Sequence, residues 1–321
     1  MPLEVCTLSL GEKFKYFNIS AFRHSWPGRA EAFIARTVNP SNNRREIHLI
    51  TDTGYLLLNI SLLLKSSFES QKHHFCNPGD WHADPRFIDN NSEQELKLIY
   101  NTGSSMYPKP NQLVEVLINI PQRKVLSMKQ LKIPNRSIIE KNIVSFSFEA
   151  KNLYLYTLNQ LVIYEAQCHS NKAIKFYQNP FFLQSCSNSL FPLSTSSPRI
   201  GAPPKSFASN QWIGTYHVVS AGLGISKRYS IGFYLLSRHK NTFTIGFTSP
   251  FFDQNYFSTI FPCTSLPVNK INPLAGCSIY NVDLKISSSS TITIYPTVSD
   301  TLNLMCTYDL KSVLDLPFLF P

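Results

Sequence analysis

Polar and apolar positions alternate in short bursts along this chain, and the bursts come in pairs. Pro85 to Ile88 runs in, Asp89-Asn90-Asn91 turns, and Leu96 to Tyr100 runs back. The same unit returns as Ile143 to Phe148, Ala150-Lys151-Asn152 and Leu153 to Tyr156, and as Pro204 to Phe207, Ser209-Asn210 and Trp212 to His217. Cys277 to Ile286 turns through Ser287 to Ser290 into Thr291 to Tyr295, and a looser first copy runs from Asn18 to Phe22 and returns as Ala30 to Arg36. Period-two runs separated by Asn, Asp, Ser and Gly are the mark of antiparallel strands joined by turns. Further strands are expected over Glu46 to Leu58, Leu113 to Ile118, Leu161 to Glu165 and Tyr229 to Leu236, and a short closing helix or strand over Asp309 to Phe320.

The five units recur about every 60 to 75 residues, long for a four-stranded blade but compatible with one that carries insertions. They therefore fit a five-bladed β-propeller. They also fit a β-sandwich or two small β domains, because short strands with turns satisfy any of these. No linker or charge run divides the 321 residues, so one domain over 1–321 is expected, with the Ser/Pro-rich stretch Ser185 to Ser197 as a loop between units.

Composition supports the all-β reading. Aromatics reach 13%, with 23 Phe and 15 Tyr, and charged residues only 16%, against 43% hydrophobic residues, which is enough to build a core. The formal charge of +10 suits an anionic partner. Lys and Arg are nonetheless scattered, with Arg44-Arg45 the densest pair and no basic stripe carrying stacking aromatics, so nucleic acid is not expected.

Seven cysteines (Cys6, Cys76, Cys168, Cys186, Cys263, Cys277 and Cys306) form no CxxC pair, which predicts free thiols in a reducing compartment. Met1 to Lys15 lacks a long apolar run with positive flanks, and Tyr55 to Leu64 is too short to span a bilayer, so a cytoplasmic chain without a membrane segment is expected. His73, His74, Cys76 and His82 have metal-ligand side chains but no regular spacing, so no metal is expected. Cys168-His169 does not form a dyad, because adjacent strand residues point to opposite faces. Ala221-Gly222-Leu223-Gly224 lacks the Lys-Ser/Thr of a phosphate loop and reads as a hairpin tip.

In a propeller the innermost strands converge on a central shaft, so polar residues opening those strands share one cavity. Asp84-Pro85-Arg86 holds a carboxylate beside a guanidinium as a strand opens. A carboxylate can bind sugar hydroxyls or move a proton, and Arg can hold a phosphate with two hydrogen bonds.

Asp84-Pro85-Arg86 followed by Leu98-Ile99-Tyr100-Asn101-Thr102 resembles the second blade of the glycoside hydrolase family 130 mannoside phosphorylases and the related mannosyltransferases. Four further segments follow the order of that family. Asn18-Ile19-Ser20 with Arg36 is similar to its first blade, and Glu140-Lys141-Asn142 with Leu153-Tyr154-Leu155-Tyr156 to its third. Arg199-Ile200-Gly201-Ala202-Pro203 with Trp212-Ile213-Gly214-Thr215-Tyr216-His217 is similar to its fourth, and Ile292 to Ile294 with Asp300 to its last. Three positions depart from the pattern: Ile200 brings bulk where backbone would approach a ligand, Ile143 replaces an aromatic, and Tyr295-Pro296-Thr297 replaces Ser-Tyr-Gly.

The resemblance implies a five-bladed β-propeller enzyme that inverts a mannoside linkage. A carboxylic acid protonates the leaving oxygen while phosphate attacks the opposite face; in the transferases a sugar hydroxyl attacks a nucleotide-sugar or sugar-phosphate donor. It implies Asp84 and Asp300 for sugar binding and acid/base work, without deciding which donates the proton. Asn18, Ser20, Arg36, Arg86, Lys141, Asn142, Arg199, Tyr216 and His217 are then the substrate- or phosphate-binding residues. No cofactor is implied beyond phosphate or a sugar-phosphate or nucleotide-sugar co-substrate, and the partner is a small carbohydrate containing mannose. The alternatives are a non-catalytic propeller that binds glycans or proteins, and a hydrolase using water.

Overall fold

The computed structural model describes residues 2–10, 16–22, 32–38, 45–71, 82–88, 92, 94–102, 112–131, 142–158, 161–165, 198–221, 227–240, 242–260, 278–287 and 290–319. Within them, twenty strands form five antiparallel sheets. Each of the five strand-turn-strand units of the sequence supplies the first strands of one sheet.

The first two sheets and one helix form a compact unit. Sheet one orders β2 (Tyr16–Phe22), β3 (Ala32–Val38), β4 (Arg45–Thr51) and β5 (Leu56–Asn59); sheet two orders β6 (His82–Phe87), β7 (Glu95–Thr102), β8 (Gln112–Asn119) and β9 (Lys124–Leu131). Ile34, Ile47 and Leu49 of the first sheet pack with Leu96, Leu98, Tyr100 and Val116 of the second, all essentially buried. Burial of this kind supplies the main stabilising term, about 1.5 to 3 kcal/mol for each fully buried large apolar side chain.

Helix α1 (Ile60–Gln71) falls where the sequence reads only as an apolar stretch. Asn59 caps it by accepting a hydrogen bond from the Leu62 amide at 2.9 Å, and Ile60 and Leu64, one turn apart, are buried in the same core.

The other three sheets form a second compact unit. Sheet three orders β10 (Val144–Phe148), β11 (Lys151–Thr157) and β12 (Val162–Glu165). Sheet four orders β13 (Arg199–Ile200), β15 (Gln211–Ala221), β16 (Lys227–His239) and β17 (Thr242–Phe247), with β14 (Lys205–Ala208) also on β15. Helix α2 (Gln254–Ile260) follows β17. Sheet five orders β18 (Ile279–Ile286), β19 (Thr291–Val298), β20 (Leu302–Asp309) and β1 (Glu4–Leu8), so the N-terminal strand completes the last sheet, with Val5 opposite Cys306. Helix α3 (Leu310–Leu314) closes the chain, capped by Asp309, whose Oδ2 accepts from the Ser312 amide at 2.7 Å. That capping hydrogen bond, with the Ser312 hydroxyl adding a second, holds the Asp309 carboxyl below the usual carboxylate range.

Sheet four is locked by two reciprocal pairs. Gly214 lies opposite Tyr234 and Tyr216 opposite Gly232, and a Cβ at either glycine would run into the facing tyrosine ring. Both rings are buried, and each hydroxyl is used by a backbone carbonyl: Tyr234 donates to Ala202 at 3.1 Å and Tyr216 to Thr248. A glycine that frees space for a cross-strand aromatic gives the sheet a register it cannot slip without a clash.

The loop expected over 185–197, the hairpin tip over 222–224, the histidines and cysteine at 73, 74 and 76 and the pair at 168 and 169 lie outside the described residues.

Candidate functional site

Three sheets open on the same backbone device. Asn18, Asp84 and Asn142 stand where the innermost strand of sheets one, two and three begins its regular pairing, with φ of 53°, 51° and 65°. In sheets one and two the device is a bulge: Phe17 pairs with Arg36 and Ser20 with Ile34, leaving Asn18 and Ile19 between them, and Ala83 pairs with Asn101 and Arg86 with Ile99, leaving Asp84 and Pro85. In both of these bulges the first extra residue lies in the left-handed region, which Asn and Asp adopt at least cost among the non-glycine residues. The bulge turns Asn18 and Asp84 out of the ordinary alternation of their strands.

In the first unit this geometry brings Asp84 to Arg36. The guanidinium Nη1 donates to Asp84 Oδ1 at 2.8 Å, with the two side chains 6% and 15% exposed, and Arg36 also stacks over the Phe17 ring at 5.2 Å. Asn18 and Ser20 are buried on the adjoining strand, and Arg86 is buried with Nη1 directed at the Pro85 carbonyl, 3.3 Å away. His82, two residues ahead of Asp84, is fixed by Ser61 of α1: its Nδ1 lies 2.7 Å from Ser61 Oγ, which accepts from the Ile47 amide at 2.8 Å. Helix α1 therefore anchors the strand that carries Asp84.

The second unit gathers another polar group. Arg199 pairs with His217 across β13 and β15, and His217 faces the Tyr229 ring at 6.0 Å, which in turn lies 6.4 Å from Tyr280. Asp300 sits on the tight turn from Val298 to Thr301, where Ser299 and Asp300 both have φ of 53° and the Thr301 amide donates to the Val298 carbonyl at 3.1 Å. Two successive positive φ values are what a primed hairpin turn demands, and Ser and Asp meet that demand without glycine. Asp300 is 8% exposed. The Tyr229 hydroxyl is pushed above its ordinary value chiefly by burial; Arg199 opposes the shift and Asp300 adds to it, which places both charges within electrostatic reach of the phenol.

Tyr216 is fully buried in the core of sheets three and four, where its hydroxyl donates to the Thr248 carbonyl. Lys141 lies outside the described residues.

The three departures also change meaning. Ile200, Ile143 and Tyr295 are 2%, 3% and 1% exposed, so their side chains fill the interior. The position in Arg199-Ile200-Gly201-Ala202 that cannot take bulk is Gly201, where a Cβ would stand 2.7 Å from Thr215 Oγ1 and 2.8 Å from the Asn281 carbonyl. The reason is local: Thr215 Oγ1 accepts from the Ala202 amide at 2.8 Å and from Asn281 Nδ2 at 3.0 Å, which ties sheet four to sheet five.

Tyr229, Tyr280 and Asn101 were not singled out as site residues from the sequence. Each sits among many aromatic and polar residues of its strand, and only the fold brings Tyr229 to His217, Tyr280 to Tyr229 and Asn101 opposite Ala83.

No protein-family profile matches the sequence, and no curated protein matches it. Solved structures do. A GDP-mannose-dependent mannosyltransferase from Leishmania mexicana superposes with a TM-score of 0.61 at 12% identity, over 100% of this chain and 94% of that one. A member of the GH130 family of mannoside phosphorylases, from work on hydrolases of β-1,2-mannosidic linkages in Candida mannan, gives 0.57 at 12% identity over 92% and 84%. A GH62 α-L-arabinofuranosidase catalytic domain from Coprinopsis cinerea gives 0.53 at 11% over 94% and 95%. The structures that this chain is similar to therefore include the two groups its motifs resemble, and at such identity the likeness is one of fold: the chain is a five-bladed β-propeller.

Proposed function

We propose that this protein is a carbohydrate-active enzyme, a mannoside phosphorylase or mannosyltransferase, with Asp84 and Asp300 in sugar binding and proton transfer. The observation that carries the reading is the largely buried Arg36–Asp84 pair at a left-handed bulge. A carboxylate placed out of the strand alternation, bonded by a guanidinium and largely shielded from water, is costly to keep for stability alone, since a buried ion pair is often no better than apolar packing. Its orientation suits a group that must meet a sugar hydroxyl in one geometry.

The cationic and phenolic groups around Arg199, His217 and Tyr229 supply what a phosphate or sugar-phosphate needs, because phosphate is recognised by guanidinium and other donors. Water as nucleophile would need none of them. This favours phosphorolysis or transfer over hydrolysis. The burial of Ile200, Ile143 and Tyr295 favours an active enzyme over a glycan-binding relic, since the altered positions are interior ones.

The test is to incubate the protein with mannose 1-phosphate or GDP-mannose and mannose or manno-oligosaccharide acceptors, and with β-mannosides with and without phosphate. Turnover that requires phosphate or the nucleotide sugar is expected. Binding of a mannoside with no turnover in any arm would remove the enzyme reading and leave a binding propeller.

A further inference from the structure

We infer that Asn101 is a further ligand-binding residue, a neutral acceptor kept for a hydroxyl of the bound sugar; this rests on the carbohydrate reading above. Asn101 is the penultimate residue of the second strand of sheet two and is 4% exposed. Its Oδ1 is buried and has no hydrogen-bond partner among the described residues. A buried acceptor left unmet costs on the order of 1 to 3 kcal/mol, and such groups in native folds mark strain, chemistry or a missing partner.

Register says which of these applies. Asn101 pairs with Ala83, the residue immediately before the Asp84-Pro85 bulge. In sheet one the corresponding place, opposite Phe17 and immediately before the Asn18-Ile19 bulge, belongs to Arg36. The guanidinium of Arg36 leaves its own sheet to meet Asp84. The same position in two successive sheets therefore carries a buried polar side chain beside a left-handed Asn or Asp. In sheet one that side chain is matched by a carboxylate. In sheet two it is a carboxamide with an acceptor in hand, and the chemistry that answers an uncharged acceptor next to an Arg–Asp pair is an O–H donor, as a sugar supplies.

The experiment uses Asn101→Leu, which keeps the branched shape and deletes the acceptor together with the amide donor, with Asn101→Ala as a second variant should the larger side chain not be accommodated. KM for the mannoside or sugar-phosphate is expected to rise about tenfold or more, with the loss falling on KM rather than kcat, because a ground-state hydrogen bond is removed. The thermal midpoint of the unliganded variant is expected to equal or exceed that of the parent, because an unmet buried acceptor has gone. An unchanged KM, or a lowered midpoint with the KM of the parent, would show Asn101 to be structural and overturn the inference. If the parent protein neither binds nor turns over any sugar, the functional proposal fails; the midpoint still decides for Asn101, a rise supporting a reserved acceptor and a fall overturning it.

Discussion

Arg36 and Asp84 lie 48 residues apart in sequence, on adjacent sheets, and meet at 2.8 Å with both side chains largely withdrawn from water. Such a pair is costly to break from one side, since the survivor keeps its charge and loses its partner, at about 3 to 5 kcal/mol. Arg36→Ala is therefore expected to lower unfolding stability by roughly that amount in urea titrations, and to abolish turnover. Asp84→Asn keeps an oxygen for Arg36 to bond, so it should retain the fold by circular dichroism while losing activity. A folded Asp84→Asn variant with unchanged kcat would remove Asp84 from the chemistry.

The Tyr216 and Gly232 pair makes a different claim, about register. Gly232→Ala places a methyl into the Tyr216 ring and is expected to destabilise by about 1 to 3 kcal/mol, the range for forced overpacking. Combined with Tyr216→Leu, which takes the ring away, the alanine should cost much less, so the double-mutant cycle should show strong coupling. Additive losses would mean that the ring and the glycine do not constrain one another.

The five sheets were legible because period-two alternation and Asn/Asp/Ser turns are local signals. Pairing β1 with β20 was not, since nothing in Glu4 to Leu8 names a partner some three hundred residues away. Helix α1 was hidden by Leu56 to Leu64, an apolar run too short to separate strand from helix; the capping Asn59 and the buried Ile60 and Leu64 were the only marks of it. Among the candidate residues, Asn18, Asp84 and Asn142 were legible from the order of the motifs, but their shared positive φ was not, because it depends on where each strand begins its pairing. Whether Ile200 met a ligand or the core was not, because that depends on which side of a two-residue strand faces sheet three.

Asn59 offers a third test. Its Oδ1 caps α1 through the Leu62 amide, and its Nδ2 donates to Glu46 Oε2 at 3.0 Å. Asn59→Ala removes both and is expected to cost about 1 to 2 kcal/mol, as loss of a helix N-cap does. Asn59→Ser, which can still cap, should recover part of the loss in the same denaturation assay. Because Ser61 of α1 holds His82 on the strand of Asp84, the alanine variant is also expected to raise KM.

The last prediction concerns acidity. His48 is fully buried on β4, with Nδ1 3.3 Å from the Tyr16 hydroxyl and Nε2 2.9 Å from Glu46 Oε2. Burial lowers its pKa below the ordinary 6.5, against the opposing pull of Glu46. In the unfolded chain His48 takes up its proton near 6.5, whereas in the fold it does so only at lower pH. The unfolded state therefore binds more protons in that window, and its share of stability, complete above 6.5, is lost as pH falls toward the folded value. The urea midpoint should accordingly drop between pH 7.5 and 5.5. His48→Gln, which cannot take the proton, should start lower at pH 7.5 and fall less steeply over the same range. Burial, with Glu46 adding to it, pushes the Tyr16 hydroxyl up to about 12, so a second loss is expected as pH rises beyond the ordinary phenol value of 10. Tyr16→Phe should flatten that alkaline limb alone, and an acid limb equally steep in His48→Gln and the parent would assign the acid sensitivity to other groups.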